Sequence, residues 1–364
     1  MFRIPTRVAL HPGSVQKLPQ VLAGLEAKHV LVLTDRGVRS ALWFDDVLAL
    51  CGSHDLDDSI EPNPKHHSID ILGEQARAGS YDAVIGIGGG SVLDAAKAVS
   101  MLAANLGPVA SFEGKNRFPN PAIPFIAIPT TCGTGSEVTW VSVISVPEEK
   151  RKISVKGDGM FPAFALVDSN LIESLPPHLI ASTGMDAFTH AIEAIIGKPA
   201  NPTSDVLALE AIQLLWIYLI DACSETEATE AKEYVMRAST LAGMAFGNAD
   251  VGAVHCLSES IGGVLDLPHG LLNTLLLAPT LTYQQDSIQE PLGRIASAVG
   301  VELEVFVYAL TERIRQLPLS DWNSLNIKPE LFDELARLAE GNGSNPSNRM
   351  NMTARDYKAI LESL

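Results

Sequence analysis

Ala83-Val84-Ile85-Gly86-Ile87-Gly88-Gly89-Gly90-Ser91-Val92-Leu93-Asp94-Ala95-Ala96-Lys97-Ala98-Val99 is the stretch from which the rest of the chain can be placed. Its first five residues are apolar or glycine throughout, the pattern of a strand covered on both faces. Three consecutive glycines and Ser91 then lead into a run with helical spacing. A glycine loop between strand and helix lets backbone N–H groups approach a phosphate, and the dipole at the helix start adds to the attraction. The usual dinucleotide fingerprint G-x-G-x-x-G does not fit, because its last glycine falls at Ser91. The turn reads either as a phosphate loop of another kind or as a tight strand-to-helix connection.

Working outward, three more runs share the fully apolar texture. Val30 to Leu33 stops at Thr34-Asp35, Phe125 to Ile128 stops at Pro129-Thr130-Thr131, and Ala163 to Val167 stops at Asp168. Apolar runs alternating with helical segments predict a parallel sheet with crossover helices. After Leu175-Pro176-Pro177 the texture changes to long Ala/Leu/Glu-rich segments, with helices expected over Ser204 to Trp216 and Glu230 to Phe246. The last third is also helical, broken at Leu317-Pro318 and at Gly341-Asn342-Gly343-Ser344-Asn345-Pro346. The expected organisation is an α/β domain over 1–177 followed by an all-α domain over 178–364. An active site is expected in the cleft between the two halves.

Composition narrows the class. The chain has 364 residues, 46% hydrophobic and 19% charged, which is globular rather than disordered. Asp and Glu number 43 against 26 Lys and Arg, a formal net charge of −17. Such a surface repels phosphate backbones and anionic lipid, so neither nucleic acid nor membrane is an expected partner. Cys51, Cys132, Cys223 and Cys256 show no C-x-x-C spacing and make no disulfide framework. The first twenty residues lack the apolar stretch of a signal peptide. No window reaches about 18 consecutive apolar residues, so no membrane span is expected. A cytoplasmic enzyme fits this profile.

Several residues carry chemistry. Asp35, at the end of a strand, can accept hydrogen bonds from ribose hydroxyls and repel a 2′-phosphate, or can simply cap a turn. The hydroxyl-rich loop from Pro129 through Thr130, Thr131 and Thr134 to Thr139 suits hydrogen bonding to a nucleotide, or is an ordinary polar loop. Asp186 and His190, four residues apart, project from one face of a helix. With His255 and His269 they supply one carboxylate and three imidazoles, a set suited to Fe(II) or Zn(II) with a position left for a substrate oxygen. Taken singly, each histidine also reads as a hydrogen-bonded core or surface residue.

Together these motifs resemble the iron-containing (group III) alcohol dehydrogenase family, related to glycerol dehydrogenases and dehydroquinate-synthase-like folds. The matches run nearly end to end. They comprise Gly88-Gly89-Gly90-Ser91 with Asp94 and Lys97, Pro129-Thr130-Thr131 through Glu137-Val138-Thr139, Lys152, and Gly184-Met185-Asp186-Ala187-Phe188-Thr189-His190-Ala191-Ile192-Glu193-Ala194. Asn201 to Asp205, Leu241 to Phe246 and Pro268-His269-Gly270 follow in order, with a weaker echo at Asn345-Pro346.

The resemblance implies a dehydroquinate-synthase-like fold. It implies a divalent metal, iron first and zinc second, held by Asp186, His190, His255 and His269, and NAD as cofactor. Gly88, Gly89, Gly90 and Ser91 would cradle the pyrophosphate and Asp35 would face the adenosine ribose. Asn63, Asp94, Thr130, Thr131, Thr134, Thr139 and Lys152 match positions that line the cofactor, and Phe246 one beside the substrate. The implied reaction is hydride transfer between nicotinamide C4 and a primary or secondary alcohol, or its carbonyl, polarised by the metal. A zinc-dependent polyol dehydrogenase of the glycerol type and a non-enzymatic nucleotide-binding relative are the alternatives. A homodimer or higher homo-oligomer is expected.

Two positions depart from the family pattern. Glu259 stands where many members have a second histidine, one helical turn after His255, and Asp250 stands where glycine is usual. Glu259 is therefore expected in the pocket as an orienting partner, a proton acceptor or an extra ligand. The tail after residue 300 is shorter and less regular than the family's.

Overall fold

The computed structural model describes residues 2–224 and 229–364. The chain divides into two compact units, Ile4–Ser174 and Leu175–Leu364, the latter taking in the N-terminal residues up to Arg3.

The first unit is α/β. Its strands are β1 (Arg7–Leu10), β2 (His29–Leu33), β3 (Ser53–Asp57), β4 (Ala83–Gly88), β5 (Gly114–Lys115), β6 (Phe125–Pro129), β7 (Val141–Val146), β8 (Arg151–Lys156) and β9 (Phe164–Val167). Its helices are α1 (Leu18–Gly24), α2 (Arg36–Arg39), α3 (Phe44–Ala49), α4 (His66–Gly79) and α5 (Gly90–Ala104). Among the described residues six strands form one sheet in the order β1-β9-β6-β4-β2-β3, with every pairing parallel. β5, β8 and β7 make a small mixed sheet that the sequence pattern did not announce.

The fully apolar runs are central strands because both faces of the sheet are covered. Val30 and Val32 of β2 pack with Ile85 and Ile87 of β4 and with Leu18, Leu22 and Phe44 of α1 and α3. The alternate residues Leu31 and Leu33 pack on the other face against Ile69 and Leu72 of α4 and Val92 and Leu93 of α5. Successive side chains point to opposite faces, so each strand feeds two cores. The order also brings the carboxyl ends of β2, β4 and β6 to one edge. Chain order reverses between β2 and β4, the place where open α/β sheets bind ligands.

The second unit is helical: α6 (Pro177–Ile196), α7 (Pro202–Ala222), α8 (Thr229–Phe246), α9 (Ala253–Leu265), α10 (His269–Ala298), α11 (Leu303–Ile314), α12 (Phe332–Glu340) and α13 (Ala354–Glu362). A capping box at Asn201 and Ser204, with Pro202 at the first helical position, starts α7 two residues before the expected Ser204. The helix also runs six residues past Trp216. By length and mean composition α7 is apolar enough to cross a membrane, although Asp205, Glu210 and Gln213 keep it short of 18 consecutive apolar residues. It packs instead against α6 and α8, burying Ala208, Ala211, Ile212, Leu215 and Leu219. Its Asp205 pairs with Arg294 at 2.7 Å.

Candidate active site

The helical unit gathers an acidic and imidazole cluster. Asp186, His190 and Glu193 fall on one face of α6, spaced four and then three residues apart. His255 comes from the first turn of α9 and His269 opens α10. Gly270 makes that approach possible, since a Cβ there would lie 2.4 Å from the Ser182 carbonyl oxygen of α6. Among the described residues, the ligand atoms of Asp186, His255 and His269 lie within 4.8 Å of one another. Asp186 Oδ1 is 3.8 Å from His255 Nε2 and 3.7 Å from His269 Nε2. Bonds of about 2.0–2.2 Å to one ion allow ligand atoms to stand up to roughly 4.4 Å apart, so these separations fit a divalent cation. His190 lies beside the three. Its ring stacks on His255 with centroids 4.4 Å apart, and on Phe246 at 4.1 Å and 12°.

Two residues to which the sequence assigned no role complete the cluster. Glu193, 1% exposed at its side chain, lies 2.6 Å from His255 Nδ1. It also accepts the backbone N–H groups of Gly252 and Val254 at 2.9 and 2.8 Å, placing a carboxylate at the start of α9 where the helix dipole favours it. With Nδ1–H donated to Glu193, His255 presents the lone pair of Nε2 to the cluster, the arrangement by which outer carboxylates orient metal-binding imidazoles. Asn273, one turn after His269, donates to Asp186 Oδ1 at 2.6 Å, and its amide nitrogen lies 3.1 Å from His255 Nε2 and 3.2 Å from His269 Nε2. Both residues obey the same helical spacing that singled out Asp186 and His190, which is the signal that could have found them.

The electrostatics favour charge separation. Burial resists ionisation of Asp186 more than any other single influence. The charges of His190, His269 and His255 and the Asn273 N–H nevertheless hold its carboxyl below the ordinary range. Burial likewise opposes a charged His255. Its hydrogen bond to Glu193, with the charges of Glu193, Asp186 and Glu259, outweighs that and raises it.

Of the three roles expected for Glu259, orienting partner, proton acceptor or extra ligand, the structure does not show the last among the described residues. Glu259 Oε2 accepts from Asn342 Nδ2 at 2.6 Å, so the carboxylate is drawn to the polar segment after α12, and it is not among the converging ligand atoms. Asp250, with φ of 61°, sits in the left-handed region where glycine is easiest. Its carboxylate accepts from Ser344 at 3.0 Å and Ser347 at 2.6 Å. Both departures from the family pattern thus grip the same stretch, 342–347.

The α/β unit assembles the second group. β4 ends at Gly88 and α5 starts at Gly90 with no side chain capping its first N–H groups. A Cβ on Gly90 would lie 2.3 Å from Thr134 Cγ2, so only glycine lets the Thr130–Thr139 loop close over the helix start. Ser91 Oγ accepts the Asn63 N–H at 3.3 Å, and Asn63 Oδ1 accepts from Lys152 Nζ at 3.0 Å. Thr130, buried, follows β6 with its N–H on the Gly88 carbonyl at 3.0 Å. Asp35 follows β2 and uses Oδ1 to cap α2 through the Val38 N–H at 2.9 Å. Gly88 to Ser91, Asn63, Thr130, Thr131, Thr134 and Lys152 therefore surround one helix N-terminus, a cradle that suits a pyrophosphate.

Asp94 and Thr139, both expected at the cofactor, make hydrogen bonds within the α/β unit. Asp94 accepts from Ser136 Oγ at 2.5 Å and from Val143 N–H at 2.9 Å. Thr139 Oγ1 accepts from the fully buried Lys97, whose Nζ also donates to Ser136 Oγ at 2.9 Å and to the Val141 carbonyl at 2.7 Å. These hydrogen bonds tie the Thr130–Thr139 loop and β7 to α5.

Comparison with known proteins covers both units of the chain. The sequence profile described as iron-containing alcohol dehydrogenase matches residues 5–169, and that of the Fe-containing alcohol dehydrogenase family, C-terminal, matches 180–364. Alcohol dehydrogenase 4 of Schizosaccharomyces pombe is 33% identical, over 100% of this chain and 88% of that protein. The NAD-dependent methanol dehydrogenase of Bacillus methanolicus is 31% identical, over 100% and 99%. The crystal structure of a 1,3-propanediol oxidoreductase superposes with a TM-score of 0.96 at 31% identity, covering 100% of this chain and 99% of that one.

Proposed function

Because this chain belongs to the iron-containing alcohol dehydrogenase family and is an NAD-linked alcohol dehydrogenase that uses a divalent metal, we propose that Asp186, His255 and His269, with His190 beside them, hold a ferrous ion. The observation that carries this reading is the convergence of three ligand atoms within 4.8 Å, backed by the Glu193 bond to His255. The substrates are small primary and secondary alcohols and the matching aldehydes and ketones. Such an ion supplies Lewis acidity that lowers the pKa of a carbinol and polarises a carbonyl.

The chain's own residues supply placement. Asp186 brings the negative charge that a cation requires, and Asn273 fixes which of its oxygens faces the cluster. Glu193 locks the His255 tautomer. Phe246 backs His190 with an apolar ring. In the α/β unit the N–H groups at the start of α5 take the pyrophosphate of NAD, with Ser91, Asn63 and Lys152 around them. Asp35 accepts ribose hydroxyls and repels a 2′-phosphate, which favours NAD over NADP. Homo-oligomeric assembly belongs to the same reading, supported by the prevalence of symmetric oligomers among soluble proteins, and light scattering tests it.

The test is anaerobic purification, elemental analysis and NADH oxidation with a panel of short aldehydes. Activity is expected to track iron content and to be lost in Asp186→Asn and His269→Ala. Full activity in either variant overturns the ligand assignment. Activity restored by zinc and not by iron overturns the choice of metal.

A further inference from the structure

His66, His67 and Glu148 form a second group of converging ligand atoms, in the α/β unit. The two histidines open α4, and Glu148 lies in the 3-10 turn Pro147–Glu149 that joins β7 to β8. His66 Nε2 is 3.0 Å from Glu148 Oε2 and His67 Nε2 is 2.6 Å from Glu148 Oε1. The two rings lie 3.6 Å apart at their centroids, and the three ligand atoms fall within 4.8 Å of one another. The backbone around them is braced. Ser145 N–H donates to the Pro64 carbonyl at 2.8 Å, and Lys65 bridges to Ser145, so the start of α4 is tied to the strand that leads to Glu148.

We propose that His66, His67 and Glu148 bind a divalent transition-metal ion at the surface, with zinc the best chemical match. Two borderline imidazole nitrogens and one carboxylate oxygen suit zinc, whereas magnesium and calcium take all-oxygen shells. The ligands sit on two elements fixed to each other, so small rotations of the side chains bring all three atoms to one centre. His66 keeps 14% side-chain exposure, while His67 and Glu148 keep 64% and 57%. Water therefore reaches the remaining coordination positions, and an ion here exchanges with solvent. One consequence bears on the metal of the reaction: zinc measured in the whole protein is not thereby zinc at Asp186.

The test is calorimetric titration of the intact, chelator-stripped two-unit chain with zinc, beside NADH-linked aldehyde reduction by the metal-loaded enzyme. The wild-type chain is expected to bind two ions and His67→Ala and Glu148→Gln one each, with turnover of the loaded enzyme unchanged. Asp186→Asn is expected to keep the surface ion and lose it when combined with His67→Ala. A single ion that disappears only in His67→Ala and Glu148→Gln would sustain this site while removing the one at Asp186. Two ions still bound by His67→Ala and Glu148→Gln, or a single ion abolished by Asp186→Asn alone, overturns the proposal.

Discussion

Glu193 shows how much a single buried carboxylate can control. Its side chain, 1% exposed, faces His255 Nδ1 and accepts the N–H groups at the start of α9. Replacing it with glutamine keeps the shape but removes the charge that orders the imidazole. Outer partners of this kind typically account for about 10–100-fold in metal affinity. Glu193→Gln is therefore expected to release its metal to a chelator about 10–100-fold more readily while its far-ultraviolet dichroism stays unchanged, and equal retention of metal by both proteins would contradict the role assigned to it.

At the scale of the element, α5 is the part of the α/β unit on which both the sheet and the nucleotide cradle depend. Its first residue must be glycine because of Thr134, so Gly90→Ala pushes the Thr130–Thr139 loop away. The expected result is a KM for NAD raised by about tenfold, equivalent to roughly 1.4 kcal/mol of binding, with metal content unchanged. Deeper in the same helix, burial lowers the Lys97 amine from the ordinary 10.5 to about 8, against the opposing charges of Asp94 and Glu137. The folded chain thus gives up this proton at lower pH than the unfolded chain does. The unfolded state binds more protons between the two values, so stability rises as pH climbs from about 8 toward 10.5. Urea midpoints of the wild type and of Lys97→Met, measured across that window, should converge on the alkaline side if Lys97→Met is the more stable at pH 7.5, and diverge if it is the less stable. Parallel curves would show that Lys97 is charged equally in both states.

Across the whole molecule the two ligand groups lie on separate stretches of the chain. Hydrogen exchange can read each one independently. A divalent metal is expected to slow exchange in α6, α9 and the start of α10, and NAD in the first turn of α5 and in Thr130–Thr139. For amides that exchange only by unfolding of the unit concerned, ligand at a hundredfold over its Kd adds about 2.7 kcal/mol of protection. Metal that protected the α5 turn and left α6 untouched would reverse the assignment of the two groups.

The amino-acid order alone determined the class of fold and the candidate ligands. Fully apolar runs of four or five residues that stop at turn residues mark strands covered on both faces, whereas the longer apolar run over 214–220 lies within helix α7. The spacing of Asp186 and His190 places them on one side of a helix whatever surrounds it. These are local consequences of backbone geometry. The small mixed sheet of β5, β8 and β7 shows no fully apolar run, because half-buried strands such as Arg151–Lys156 alternate polar and apolar residues over only a few positions. The tertiary structure decided the partners: that Glu193 reaches His255 across 62 positions, that Asn273 reaches Asp186 across 87, and that Glu259 turns to Asn342. Such pairings depend on how helices distant in sequence are laid together. Only packing, through close approaches such as Gly270 against Ser182, fixes that arrangement.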